Sequence, residues 1–383
     1  MRSISMIKRL LYFFVGIIFI TSCRENYTPP EVTTDHNILV VEGFIDVNSD
    51  TSYFKLSRTQ KLGSSTSSKP EKGASISILS AAGTVLTQFT ERANGEYVVY
   101  GAALSQAQSY RLKIITSNAK VYQSDLVTGK ITPAIDSVTW KIDNEKNGIQ
   151  FFVNTHDASN SSLYYKWDCE ETWEYRAYFD AQYKYMGDTI IEMRDPTEQI
   201  YRCWRFTKTS QIFINTTERL SNDIINNEKI LFVPKGSNRF DQRYSVLVKQ
   251  RALTKEAYNY WEQLKQTTEL GGSVFDVQPT QLLGNLYCVT NANEPVIGYI
   301  SATTTAQKRI FIDKNDVPTF IEPYPANCEL ISVVPNRDSM RLYYAVRRYL
   351  PVAPDIQGAF LAAPQQCTDC RIFGGTTDKP SYW

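Results

Sequence analysis

From residue 38 onward, apolar and polar residues alternate in short runs, and this period of two limits the possible fold more than any other feature of the chain. Successive side chains of an extended strand point to opposite faces, so Ala74-Ser75-Ile76-Ser77-Ile78 offers one apolar face and one polar face. Runs of the same kind occur at 38–45, 53–56, 84–90, 96–100, 110–114 and 121–122. Turn formers separate them: Asp46-Val47-Asn48-Ser49-Asp50, the serine-rich 62–70, Ala81-Ala82-Gly83 and Asn94-Gly95. Short strands this closely spaced, with no amphipathic helix between them, predict an antiparallel β-sandwich over 38–132.

Pro133 marks the expected boundary to a second β-rich domain over 133–320. Its strands are expected at 135–140, 148–153, 286–290, 296–303 and 308–312, in an immunoglobulin/fibronectin-like sandwich. One helix is predicted near 254–269, opened by the hydroxyl cap of Thr254, with Ala257, Trp261 and Leu264 on one face and Gly271-Gly272 at its end. A shorter helix is expected within 338–349, and 321–383 is expected to pack on the second domain as a cysteine-pinned tail. The predicted fold is thus mainly β, two antiparallel sandwiches with one or two short helices.

The first 37 residues carry an address. Arg2, Lys8 and Arg9 precede the apolar run 10–20, which as a helix would reach only about 16 Å, half the hydrocarbon thickness of a bilayer. This pattern predicts a signal peptide over 1–22. Ile20-Thr21-Ser22-Cys23 has the form of a lipobox, with Cys23 as the lipidated residue and 23–37 as a tether. An ordinary cleaved signal, with Cys23 incidental, is the other reading.

Six cysteines remain: Cys169, Cys203, Cys288, Cys328, Cys367 and Cys370. An even set in an exported chain predicts disulfides. The expected pairing joins Cys169 to Cys203 and ties Cys288 and Cys328 each to one of Cys367 and Cys370. The alternative makes Cys367-Thr368-Asp369-Cys370 a redox or zinc motif, but no second pair of this spacing and no nearby His supports it. No metal and no cofactor is expected.

The stretch 164–206 is dense in aromatic residues. Tyr164, Tyr165 and Trp167 lie in a strand-like run and are expected in the core, whereas Trp173, Tyr175, Tyr178, Tyr183 and Tyr185 are the candidate face for a glycan or peptide ligand. Catalysis finds little footing. The two histidines, His36 and His156, both sit in loop-like sequence, and no nucleophile elbow, zinc-protease, Walker or dinucleotide fingerprint occurs. Glu171 and Glu174, among the acids clustered around Trp167 and Trp173, form the one pair that could serve a glycosidase. Asp168, Glu170 and Thr172 would share a strand face suited to solvent or to calcium. With 41 basic against 40 acidic residues, the chain lacks the charge of a nucleic-acid binder.

Taken in order, Cys23, the strand 38–43, Gly95-Glu96-Tyr97, Tyr110-Arg111-Leu112, Pro133-Ala134-Ile135-Asp136-Ser137-Val138, Glu171-Thr172-Trp173-Glu174, Gly298-Tyr299-Ile300-Ser301-Ala302, Lys308-Arg309-Ile310-Phe311 and Cys367-Thr368-Asp369-Cys370-Arg371 resemble domain of unknown function 4249 over nearly the whole chain. The resemblance implies an outer-membrane lipoprotein of Bacteroidota encoded beside a TonB-dependent transporter, with a transthyretin-like first sandwich. It brings no catalytic residues. The expectation is a non-enzymatic, lipid-anchored partner of such a transporter. The alternatives are a stand-alone surface binder of glycans or peptides, and a glycosidase.

Overall fold

Strand Ser109–Ile115 buries Tyr110, Leu112 and Ile114 and leaves the residues between them half-buried, as its alternation predicts. The same rule organises the whole computed structural model, which describes residues 37–48, 51–60, 68–102, 104–106, 108–269, 284–317, 320 and 327–383. The fold is mainly β, and Ile38–Trp383 make one unit.

The first sandwich has one sheet in the order Val296–Ile297, Leu39–Asp46, Ser52–Arg58, Glu96–Val99 and Thr90–Glu91. The facing sheet runs Leu286–Cys288, Val121–Ser124, Ser109–Ile115, Ser75–Ser80 and Val85–Gln88. Leu39, Phe54, Leu56, Ile76, Leu112 and Tyr122 meet between them in one apolar core. Here the structure corrects the expected domain boundaries. Residues 286–303, expected in the second domain, join the first instead: Leu286–Cys288 pairs antiparallel with Val121–Ser124, and Val296–Ile297 and Ala302–Thr303 pair parallel with Leu39–Asp46. Alternation identifies a strand but not the sheet it joins. The open edges of the first sandwich have unmade backbone hydrogen bonds, and this later segment satisfies them.

The second sandwich sets Ile135–Asp143, Gly148–His156 and Ile224–Pro234 against a sheet built on Tyr164–Arg176, flanked by Arg202–Lys208 and Arg243–Ala252, with Ala306–Asp313 outside. Phe151, Val153, Trp167, Trp173, Val246 and Val248 share its core. The helix Lys255–Thr268 starts where predicted, with the Thr254 hydroxyl accepting from Ala257 N at 3.2 Å. It buries Ala257 and Tyr260, with Trp261 partly covered beside Tyr164 and Leu253. The expected glycine stop, Gly271-Gly272, lies outside the described residues. The second helix begins at Arg337–Met340 and continues as a π-helical turn, Arg341–Val346. Among the described residues, no helix is long and apolar enough to cross a membrane, and the expected signal peptide and Cys23 lie outside them.

The tail packs on the second sandwich and is pinned by cysteine, with different partners from those expected. The disulfides are Cys203–Cys370 and Cys328–Cys367, while Cys169 and Cys288 are free and buried. Cys203 stands opposite Tyr175 in the sheet, six residues along the strand from Cys169. At about 3.3 Å per residue the two cysteines are roughly 20 Å apart, far beyond disulfide reach. Cys288 is likewise fixed in the first core, away from the Cys367/Cys370 pair on the second sandwich. Cys328 does join one of that pair, as expected.

Candidate functional site

The strand Tyr164–Arg176 divides the sequence-derived site residues between its two faces. Tyr165, Trp167, Cys169, Trp173 and Tyr175 all point into the core. Trp173 and Tyr175, proposed above as ligand platforms, expose only 3% and 2% of their surface. Trp173 donates its indole N–H to Asn238 Oδ1 at 3.1 Å, and the Tyr175 hydroxyl donates to Cys370 O at 2.7 Å beneath the tail. Tyr178 is exposed, edge-on to Phe179. Tyr183 and Tyr185 lie on a separate hairpin, Tyr183–Met186 with Thr189–Glu192, and rest against Phe360 and Tyr344 of the C-terminal segment. The five aromatics therefore form no common face.

Glu171 and Glu174 are three residues apart on this strand, so they project from opposite sides of the sheet. Glu171 is enclosed on the core side, where it accepts from the Tyr244 hydroxyl at 2.8 Å and pairs with Arg239 at 3.0 Å. Burial raises its carboxyl above the ordinary range, against the opposing pull of Arg239 and Tyr244. Glu174 meets Arg176, Arg202 and the indole N–H of Trp383. Two carboxyls placed in this way cannot flank one glycosidic bond. His156 is exposed and pairs with Asp136 at 2.8 Å, while His36 lies outside the described residues. Both cysteines of the C-x-x-C are committed to disulfides with distant partners, so the motif offers neither a dithiol nor a zinc pair. Among the described residues no group of three or more His, Cys, Asp or Glu could hold a metal.

The polar face of the same strand forms a site that the sequence reading did not assemble. Lys166, Asp168 and Glu170 line the floor of a cleft of about 400 Å³, together with Lys249 and Arg251 of the adjacent strand and Lys208. Register accounts for the grouping: Lys166 is opposite Arg251, Asp168 opposite Lys249, and Glu170 opposite Lys208. Gly43, Phe44 and Tyr53 of the first sandwich form the opposite wall, and Trp261 and Tyr299 close one end. Gly43 has φ +149°, and a Cβ there would stand 2.4 Å from Tyr53 O, so glycine is needed for this close strand approach.

The charges in the cleft are unevenly matched. Asp168 is shared by Lys166 and Arg251, and Glu170 Oε1 by Lys249 Nζ at 2.8 Å and Lys208 Nζ at 3.4 Å. Burial opposes ionisation of both carboxyls, but the cations overcome it and hold each below its usual range. With four cations to two carboxylates, the floor repels a metal cation, which removes the calcium reading of this face. Arg251 lies 3.6 Å from the Phe44 ring centroid and Lys166 4.6 Å from that of Trp261. The Arg251 Nε is buried without a hydrogen-bond partner among the described residues.

A family model described as "Domain of unknown function (DUF4249)" matches residues 24–309. No curated protein matches the chain. Among solved structures, trypsin-activated alpha-2-macroglobulin from Escherichia coli is similar at 8% identity and TM-score 0.20, over 58% of this chain and 15% of that one. The elastase-activated form of the Escherichia coli protein is similar at 10% identity and TM-score 0.20, over 57% of this chain and 19% of that one. The Escherichia coli adhesin FdeC is similar at 15% identity and TM-score 0.15, over 50% of this chain and 63% of that one. The chain thus spans less than a fifth of either macroglobulin's length.

Proposed function

This chain belongs to the family of domain of unknown function 4249, and on that footing we propose that it is a lipid-anchored cell-envelope protein, partner to a TonB-dependent outer-membrane transporter, that acts by binding rather than by catalysis. The observation that carries the reading is the sequence order of a leader-like segment, a lipobox-like Cys23 and a tether-like stretch ahead of one mainly β unit with a ligand-sized cleft. The disulfides Cys203–Cys370 and Cys328–Cys367 support export to an oxidising compartment. The separation of Glu171 from Glu174 across the sheet speaks for binding over glycoside hydrolysis. The transporter and the Bacteroidota outer membrane enter through the family resemblance alone.

The test is a pull-down of the tagged, natively expressed protein from detergent-solubilised outer membranes, read by mass spectrometry for partners and for the modified N-terminus. A stoichiometric TonB-dependent channel together with diacylated Cys23 is the expected result. Acylation with no channel partner would overturn the partnership and leave a stand-alone binder. An unmodified Cys23 would overturn the anchor.

A further inference from the structure

The charged floor of the cleft indicates the chemical class of its ligand, an inference that rests on reading the cleft as a binding site. Each carboxylate there serves two cations, so Lys166–Asp168–Arg251 and Lys208–Glu170–Lys249 each retain one unbalanced positive charge. Lys166 and Arg251 are largely buried beside Trp261 and Phe44, and a charge left unbalanced in such surroundings attracts a counter-charge more strongly than it would in bulk solvent, whereas Lys208 of the other triad stands in solvent. Arg251 in addition keeps a buried, unpartnered Nε–H. Lys249 and Arg251 are two residues apart on strand Arg243–Ala252, so both project into the cleft about 7 Å apart.

We propose that the cleft binds a small dianion whose two acid groups, about 7 Å apart, each meet one of these charge triads. The arrangement selects on two counts. A monoanion leaves one triad unbalanced, and a dianion with adjacent charges cannot reach both.

The experiment is calorimetric titration of the full-length lipidated protein in detergent with succinate, glutarate, adipate, pimelate, hexanoate and inorganic phosphate, followed in parallel by tryptophan fluorescence. Affinity should peak at adipate or pimelate, exceed that for hexanoate by about tenfold or more, and fall with added salt. Lys249→Gln and Arg251→Gln should each weaken adipate about tenfold, while the exposed Arg194→Gln leaves it unchanged. Lys249 is partly exposed, so its variant carries the test should Arg251→Gln fail to fold. Three results would overturn the proposal: equal affinity for hexanoate and adipate, a preference for phosphate over every dicarboxylate, or no saturable binding below about 10 mM. The readout is independent of any partner. A transporter captured without dianion affinity removes this inference alone, and dianion binding without a captured transporter removes only the partnership.

Discussion

Replacing Trp173 by Ala should cost about 3–5 kcal/mol, the range for truncating a buried large aromatic. Trp173 is 3% exposed, stands opposite Tyr244 in the sheet and shares the core with Trp167, Cys203 and Phe240. The truncation opens a ring-sized void among these side chains and leaves Asn238 Oδ1 without its donor, 3.1 Å away in the native protein. It also removes the ring beneath Arg239 and Arg205, at 4.9 and 5.6 Å. At roughly 2–4 °C per kcal/mol for a unit of this size, the melting midpoint should fall by on the order of 10 °C. Tyr178 is the control. It is 40% exposed, and its Ala variant should stay within about 1 kcal/mol of the native protein. Thermal and urea unfolding by circular dichroism measure both, with similar urea slopes licensing the comparison. A Trp173→Ala protein melting within about 2 °C of the native one would refute the core assignment and return Trp173 to the candidate ligand face.

The other perturbations address charge, sulfur and the junction between sandwiches. Because Asp168 ionises below the ordinary Asp value of 3.8, its contribution to stability is present above that pH and is lost as pH falls through the lower folded value. Asp168→Asn should therefore flatten the acid limb of the stability profile below about pH 4, and an unchanged limb would contradict the pairing with Lys166 and Arg251. Of Cys169, Cys203, Cys288, Cys328, Cys367 and Cys370, denaturation without reductant should release two titratable thiols, Cys169 and Cys288, whereas six would mean that neither disulfide forms. Burial pushes the Cys169 thiol up, so alkylation of that residue in the native protein should be slow. Removing Cys203–Cys370 by double substitution to Ser should cost about 2–5 kcal/mol, read by urea unfolding, and no loss would contradict its structural role. Thr132→Val should cost about 1–3 kcal/mol and speed hydrogen exchange at Ala252, whose amide donates to the Thr132 hydroxyl at 2.9 Å; native-like exchange would show that the bond does not hold the junction.

Local rules made the strands and the main helix legible. The period of two found Ser75–Ser80 and Ser109–Ile115 to within a residue or two, and the Thr254 cap located the helix start. Parity also carried more than was read from it. Trp167, Trp173 and Tyr175 are all odd-numbered on one strand, so placing Trp167 in the core places the other two there as well. The same count puts Glu171 and Glu174 on opposite faces. Long-range pairing was not legible. Nothing local tells residues 286–303 to complete the first sandwich, or directs Cys203 to Cys370 across 167 positions. The cleft shares that difficulty, since Phe44, Asp168, Lys208, Arg251 and Trp261 meet only after two sandwiches and a helix have formed.

The return of the chain to the first sandwich also explains why the cleft can be rigid. A single linker near Pro133 would leave two sandwiches free to hinge. Here the chain passes between them near residue 132 and again near residue 304, and the two passages are hydrogen-bonded side by side. Lys130 N donates to Ala302 O at 3.0 Å, and Thr304 N donates to Lys130 O at 2.9 Å. The Thr132 hydroxyl donates to Thr304 O at 2.6 Å and accepts from Ala252 N at 2.9 Å, within the second sandwich. Ala302–Thr303 in turn pairs with Ile45 and Asp46, continuing the strand that carries Gly43 and Phe44 of the cleft wall. One buried network therefore joins the strand bearing Arg251 to the strand bearing Phe44. A cleft fixed in this way needs little ordering when a ligand enters, so the charge spacing set by Lys249 and Arg251 can act directly as selectivity.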